Sequence, residues 1–450
     1  MINHITGKQQ MLSRHSVGDG MVLYAWQTDR FKVGMLSLSM AKQTEAKRVP
    51  PTSLLFSTLK RGTVRYPSLA QINARLDDLY ASSLTTRNYR CGDRQIVGMS
   101  AEFLDSRYLD DPEAGDILDG CAEMMAQMLL YPLTEEGTGL LLPRLVESEK
   151  TNLCDAIRAR QNNPRVWAAL RFHEIMFEGE PCGIPHHGRV EQIMALSREQ
   201  LRDCHSEWLN SSEMIFFYVG PEEPQRVADT LRCRFEAFRP TKLISCPPTS
   251  VIRRATRVKE VTEEMAVSQG KLNIGFRTDI TVHDPDYYAM AVANEIYGAS
   301  PVSKLFMQVR EEKSLCYSIG STYDQYKGSL RVSCGIDPDA KEIACEEIYR
   351  QWECLRRGEI TEEEMTAAKR SLDNSYRTVE DNPHAIEGFY YGRLLEGVDM
   401  TVEDCRRRFA EVTREQVAAA ASKLTPDTVY FLKGTLTDGE GEEDDDADIG

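Results

Sequence analysis

Short apolar runs of strand length, such as "VGMLSLSM" and "LNIGFR", alternate along the chain with longer stretches of helical period, such as "SLAQINARLDDLYASSL". One pattern occurs twice. Residues 197–220, "SREQLRDCHSEWLNSSEMIFFYVG", and residues 413–434, "TREQVAAAASKLTPDTVYFLKG", each open on a capping box, continue as a helix, turn, and close in an apolar strand ending in glycine. In each box a hydroxyl (Ser197, Thr413) and an amide (Gln200, Gln416) satisfy two N–H groups that have no partner inside the helix. The copies lie 216 residues apart, close to half the chain, which predicts an internal duplication rather than a solenoid.

Between the copies, "FRPTKLISCPPTSVIRRATRVKE" holds Pro240, Pro247 and Pro248 and shows no helical period, so it reads as an extended linker. The expected organisation is a first domain over 1–238, a linker over 239–260, a second domain over 261–436, and an acidic, disordered tail over 437–450. Both domains are expected to be α+β, each a sheet covered by helices.

Composition narrows the class. The 450 residues suffice for two or more cores, and 41% hydrophobic residues with a mean hydropathy of -0.42 mark a globular chain. No apolar run approaches the roughly 18–20 residues of a membrane span, and the first residues lack a signal core, so a cytoplasmic protein is expected. The 12 cysteines are scattered singly between Cys91 and Cys405, the pattern of reduced thiols. A net charge of -16 disfavours nucleic acid and anionic membranes as partners, and half of it comes from eight carboxylates in the last 13 residues.

Two stretches bear on chemistry. "TSLLFSTLKRGT", residues 52–63, reads as an amphipathic helix running into a basic Gly-Thr stop, with Ser53, Phe56 and Ser57 turned inward. In residues 292–336, one helix ends at Gly298, a second runs from about Ser303 into "REEK", and a strand follows through Tyr317. Arg310 is then near a helix end and Tyr317 at a strand start, seven residues on. A guanidinium fork and a phenolic O–H together suit a carbonyl oxygen that becomes negative during acyl transfer. On spacing alone the favoured reading is a surface arginine and a half-buried tyrosine.

The segment "VREEKSLCY" resembles the second-domain signature of insulinase/pitrilysin-type zinc peptidases, especially the branch of mitochondrial processing peptidase and bacterial processing proteases. That resemblance assigns Arg310 and Tyr317 to substrate contacts near the scissile bond. It also gives residues 52–63 a meaning. Active members carry HxxEH on a helix running into Lys-Gly-Thr, two histidines chelating zinc and a glutamate activating the bound water. Aligned on Gly62 and Thr63, the motif falls on Ser53, Leu54, Leu55, Phe56 and Ser57, so both histidines are serine and the glutamate is phenylalanine. For the third ligand, "VESEKTNLCDAIRAR" offers Glu147, Glu149 and Asp155, which the sequence leaves open. Residues 147–184 are also similar to bacterial insulinase-like chains that lack the zinc motif.

No HxxEH or HExxH occurs anywhere in the sequence. "FHEIMFEGE" reads as an ordinary helix end, and His186 and His187 of "IPHHG" are adjacent in a turn, a poor chelating pair. His4, His15, His205, His283 and His384 are isolated and expected to be structural. Phosphate-loop, dinucleotide and nucleophile-elbow motifs are absent. The reading is a clamshell half that binds no metal or cofactor itself. It would be the non-zinc subunit of a heterodimeric metallopeptidase, acting on peptides beside a related chain whose intact HxxEH carries the zinc. A non-catalytic peptide-binding or scaffold protein is the alternative, and a homodimer stays open.

Overall fold

The computed structural model describes residues 12–109 and 115–436; His4 and the acidic tail expected over 437–450 lie outside them. Two compact units form. Unit 1 takes the chain up to Ile157, His186–Pro247 and Pro383–Gly388; unit 2 takes Arg158–Pro185, Pro248–Asn382 and the chain from Phe389.

Unit 1 is built on six strands: β1 (Ser13–Gly18), β2 (Met21–Gln27), β3 (Val33–Gln43), β4 (Ser83–Cys91), β5 (Arg94–Leu104) and β6 (Met214–Gly220). Their order is β1-β2-β6-β3-β5-β4, with β6 parallel to β2 and antiparallel to β3. Its helices are α1 (Val49–Leu59), α2 (Leu69–Asp78), α3 (Ile117–Leu130) and α4 (Pro143–Gln161). After α5 (Pro164–Met176), which lies in unit 2, come α6 (Val190–Met194), α7 (Arg198–Ser211) and α8 (Pro224–Arg234). Leu36, Leu38 and Met40 of β3 meet Leu54, Leu55 and Phe56 of α1, Met124 and Met125 of α3 and Trp208 of α7 in one core. The helix expected through "YASSL" stops at Asp78. Tyr80 and Ala81 take positive φ, which ends the helix, and Ser83 already begins β4.

Unit 2 has five strands: β7 (Lys259–Met265), β8 (Gly270–Arg277), β9 (Ser318–Asp324), β10 (Ser329–Ile336) and β11 (Thr425–Gly434). Its helices are α9 (Tyr287–Asn294), α10 (Lys341–Arg356), α11 (Glu362–Arg377), α12 (Pro383–Glu396), α13 (Val402–Glu411) and α14 (Arg414–Ser422), the first turn of α12 belonging to unit 1. The strand order is β7-β11-β8-β10-β9, with β11 parallel to β7 and antiparallel to β8. Set beside β2-β6-β3-β5-β4, it repeats unit 1 position for position, with β1 the one addition. Both capping boxes form, Ser197 with Gln200 before α7 and Thr413 with Gln416 before α14. The chain is thus two α+β units of one sheet topology.

Residues 239–258 form no helix or strand, and the units divide at Pro247 and Pro248. Helix α5 joins unit 2 through Ala168, Phe172 and Met176, an i, i+4, i+8 stripe packed with Tyr430 and Leu432 of β11. Beside it, buried Arg277 donates to Glu180 at 2.7 Å and to Asp427 at 2.5 Å, and Lys327 donates to Glu180 at 2.8 Å. Among the described residues no helix is long and apolar enough to cross a membrane.

Candidate functional site

The helix that carries the degenerate zinc motif is a core helix. Pro50 and Pro51 start α1, where a missing N–H costs nothing, and ten of its eleven residues are buried. It is therefore not amphipathic. Ser53 and Phe56 are turned inward as expected, whereas Ser57 is partly exposed. Phe56 meets Trp208 edge to face with ring centroids 6.3 Å apart, and Trp208 Nε1 donates to Thr52 Oγ1 at 3.0 Å.

Ser53 is partnered from two sides. Asn88 Nδ2 of β4 donates to its Oγ at 2.9 Å, and His187 Nδ1 lies 3.3 Å from the same oxygen. His186 Nε2 donates to Asn88 O at 2.9 Å. Gly188 closes this turn at φ +79 within reach of Pro50, whose Cγ would lie 2.6 Å from an added Cβ. Nothing local in "IPHHG" announces this packing, because His187 and Ser53 are 134 residues apart.

Of the three candidate carboxylates, Glu149 alone is buried. It lies on α4, where Arg61 Nη1 lies 3.1 Å and Asn152 Nδ2 2.9 Å from its Oε1. Glu147 is exposed and pairs with Lys150, and Asp155 is exposed. One buried carboxylate already bound to an arginine, two serine hydroxyls and a phenyl ring do not fit a zinc ion. Among the described residues no group of three or more His, Cys, Asp or Glu could hold a metal.

The Arg310 and Tyr317 segment in unit 2 is built differently. A π-helical stretch, Phe306–Glu312, carries Arg310, whose guanidinium carbon sits 4.6 Å from the Phe306 ring centroid while the side chain stays 41% exposed. Ser314, at φ +51, reverses the chain: its N–H donates to Arg310 O and that of Leu315 to Val309 O. Tyr317 then donates its backbone N–H to Gly335 O at 2.9 Å, one residue before β9, while its side chain is 62% exposed rather than half-buried. Gly298 lets the preceding helical segment approach β9, since an added Cβ would lie 2.7 Å from Ser321 Oγ.

Lys313 anchors this loop to Glu347 of α10. Burial works against the Glu347 charge, but Arg350, Lys313 and Gln351 outweigh it and hold the carboxyl down to about 2, from an ordinary 4.5. A depressed folded-state value stabilises fully above the unfolded value, and that contribution fades as pH falls through the folded one. Glu347→Gln should therefore flatten the loss of melting temperature between pH 4.5 and 2, read by thermal scans across that range.

The chain is similar in fold and in sequence to peptidase M16 proteins, and two of the positions aligned with their zinc motif, Ser53 and Phe56, are buried here. Residues 195–372 match the model of the peptidase M16 inactive domain. Over 95% of this chain and 98% of the relative, the sequence is 28% identical to the probable inactive metalloprotease YmfF of Bacillus subtilis. An uncharacterized zinc protease of Mycobacterium tuberculosis is 25% identical over 62% of this chain and 64% of its own. A conserved protein from Enterococcus faecalis has the same fold, with a TM-score of 0.86 at 24% identity over 94% of this chain and 99% of that one. A protease from Helicobacter pylori matches at 0.78 and 15%, over 94% and 99%.

Proposed function

We propose that this chain is the non-zinc subunit of a heterodimeric metallopeptidase, supplying Arg310 and Tyr317 to a peptide held against a partner's zinc site. The observation that carries the reading is an asymmetry. Ser53 and Phe56 of the lost motif are buried, and Ser53 is hydrogen-bonded, whereas Tyr317 is exposed and Arg310 is partly exposed. Arginine contributes a fixed charge and a planar fork, tyrosine a single donor, and both act on an oxygen whose negative charge develops during the reaction. Zinc on the partner supplies the activated water. This chain requires no metal or cofactor of its own.

The peptide is held partly by adding a strand to an exposed sheet edge. The complex is cytoplasmic in this reading, with neither nucleic acid nor membrane as a partner. Tagged chain recovered from the cells that make it, with co-purifying proteins identified by mass spectrometry, tests the assembly. The expected result is a related chain of similar size with an intact HxxEH in about equal amount. Recovery of this chain alone, or with unrelated proteins, removes the heterodimer and favours a scaffold.

A further inference from the structure

A cavity of about 260 Å³ lies on one face of the unit 2 sheet, walled by β8, β9 and β10 together with Arg165 and Ala169 of α5. Strand register fixes which residues share that face. Lys271, Gly335 and Ser318 form one cross-strand row, Asn273, Ser333 and Gly320 the next, and Gly275, Arg331 and Thr322 the third. Along β10, Arg331 and Ser333 are partly exposed between buried Leu330, Val332 and Cys334, as alternation of strand side chains requires. Glycine and serine keep the floor low, and α5 closes the third row, where a Cβ on Gly275 would lie 2.6 Å from Met176 Sδ.

The charge of this cavity is unbalanced. Arg165, Arg331 and Lys271 line it and no carboxylate does, in a chain with 70 Asp and Glu against 54 Lys and Arg. Among the described residues the guanidinium groups of Arg331 and Arg165 have neither an ion pair nor a hydrogen bond, and burial and then Arg165 hold Arg331 below the ordinary arginine value. Asn273, 3% exposed, has an Oδ1 with no hydrogen-bond partner on the same floor. A half-buried arginine ordinarily meets an acid from its own fold. Here that acid has to come from elsewhere.

The cavity's outer strand offers a way in. Among the described residues β9 is an edge strand that pairs with β10, and Tyr317 directly precedes Ser318 at the cavity's rim. We propose that this cavity is an acid-reading subsite, in which a peptide paired along the β9 edge seats an Asp or Glu carboxylate against Arg331 and Arg165. The inference rests on the peptide-holding part of the proposed function and narrows its substrates to segments with an acidic residue near the one that meets Tyr317.

The test uses the full chain and two short, extended, fluorescently labelled peptides with amidated C-termini, identical except for one Glu in place of Gln, with binding read by anisotropy. The Glu peptide is expected to bind about tenfold more tightly or better, as charge-assisted hydrogen bonds give. The preference should vanish in the Arg331→Gln, Arg165→Gln double variant at unchanged melting temperature, and shrink with added salt. A preference that survives the double variant overturns the assignment. Glutarate displacing the labelled peptide as well as the unlabelled Glu peptide does also overturns it, since the site would then take small anions rather than peptides. Equal binding of the two peptides removes the subsite and leaves the proposed function standing; binding of neither removes both.

Discussion

Phe56→Ala is expected to destabilise unit 1 by about 3–5 kcal/mol, the range for truncating a buried phenylalanine whose cavity cannot collapse. The ring is 2% exposed, lies in the core with Leu54, Leu55 and Met124, and meets Trp208 edge to face. Urea unfolding should show the loss as a lower midpoint at unchanged slope. Phe56→Glu, which puts back the residue an active helix would carry, should cost at least as much, because a carboxylate is then buried without a partner. A cost below about 1 kcal/mol for either variant would show that the ring is not what holds α1 in place.

Glu180→Ala carries the second large effect. The carboxylate serves Arg277 and Lys327 at once, all three side chains are almost fully buried, and the group lies where residues 158–185 join the unit 2 sheet. For Arg277, burial opposes the charge, but Glu180 and Asp427 hold it above the ordinary arginine value. Removing Glu180 takes away the carboxylate that the two buried cations share, a cost of about 3–5 kcal/mol. Glu180→Gln should lose a comparable amount, since charge rather than bulk is missing. Thermal unfolding of both variants checks this, and a melting temperature equal to the parent's in Glu180→Gln would contradict the ionic account.

Both expectations depend on contacts of very different legibility. The capping boxes at Ser197 and Thr413 could be read directly, because each is settled within four residues, and they exposed a duplication that the two sheet orders repeat. The end of α2 was not legible. "YASSL" keeps a helical period, and the positive φ of Tyr80 and Ala81 is imposed on residues whose type does not favour it. The membership of α5 was hidden for another reason. Its stripe of Ala168, Phe172 and Met176 shows that it buries a face, but not that the face belongs to β11, more than 250 residues later.

At the candidate site the substitutions at 53, 56 and 57 were plain from the resemblance, and what took the place of the histidines was not. His187 reaches Ser53 from a turn 134 residues away, and Asn88 reaches it from β4. That Glu149, unlike Glu147 and Asp155, is buried and paired with the arginine that follows α1 was likewise not legible, since the two are far apart in sequence. The roles assigned to Arg310 and Tyr317 come from the resemblance, and the exposure of the pair is what supports carrying them over.

The proposed function divides the labour, with the metal on a partner and contacts to peptide on this chain. The most direct measurement is peptide turnover by the complex reconstituted with its HxxEH-bearing partner, comparing the parent chain with Arg310→Ala and Tyr317→Phe while size-exclusion chromatography follows assembly. Intact assembly is expected, with kcat/KM lowered by about 100-fold or more for a lost oxyanion donor. Turnover unchanged in both variants, at unchanged assembly, would contradict it.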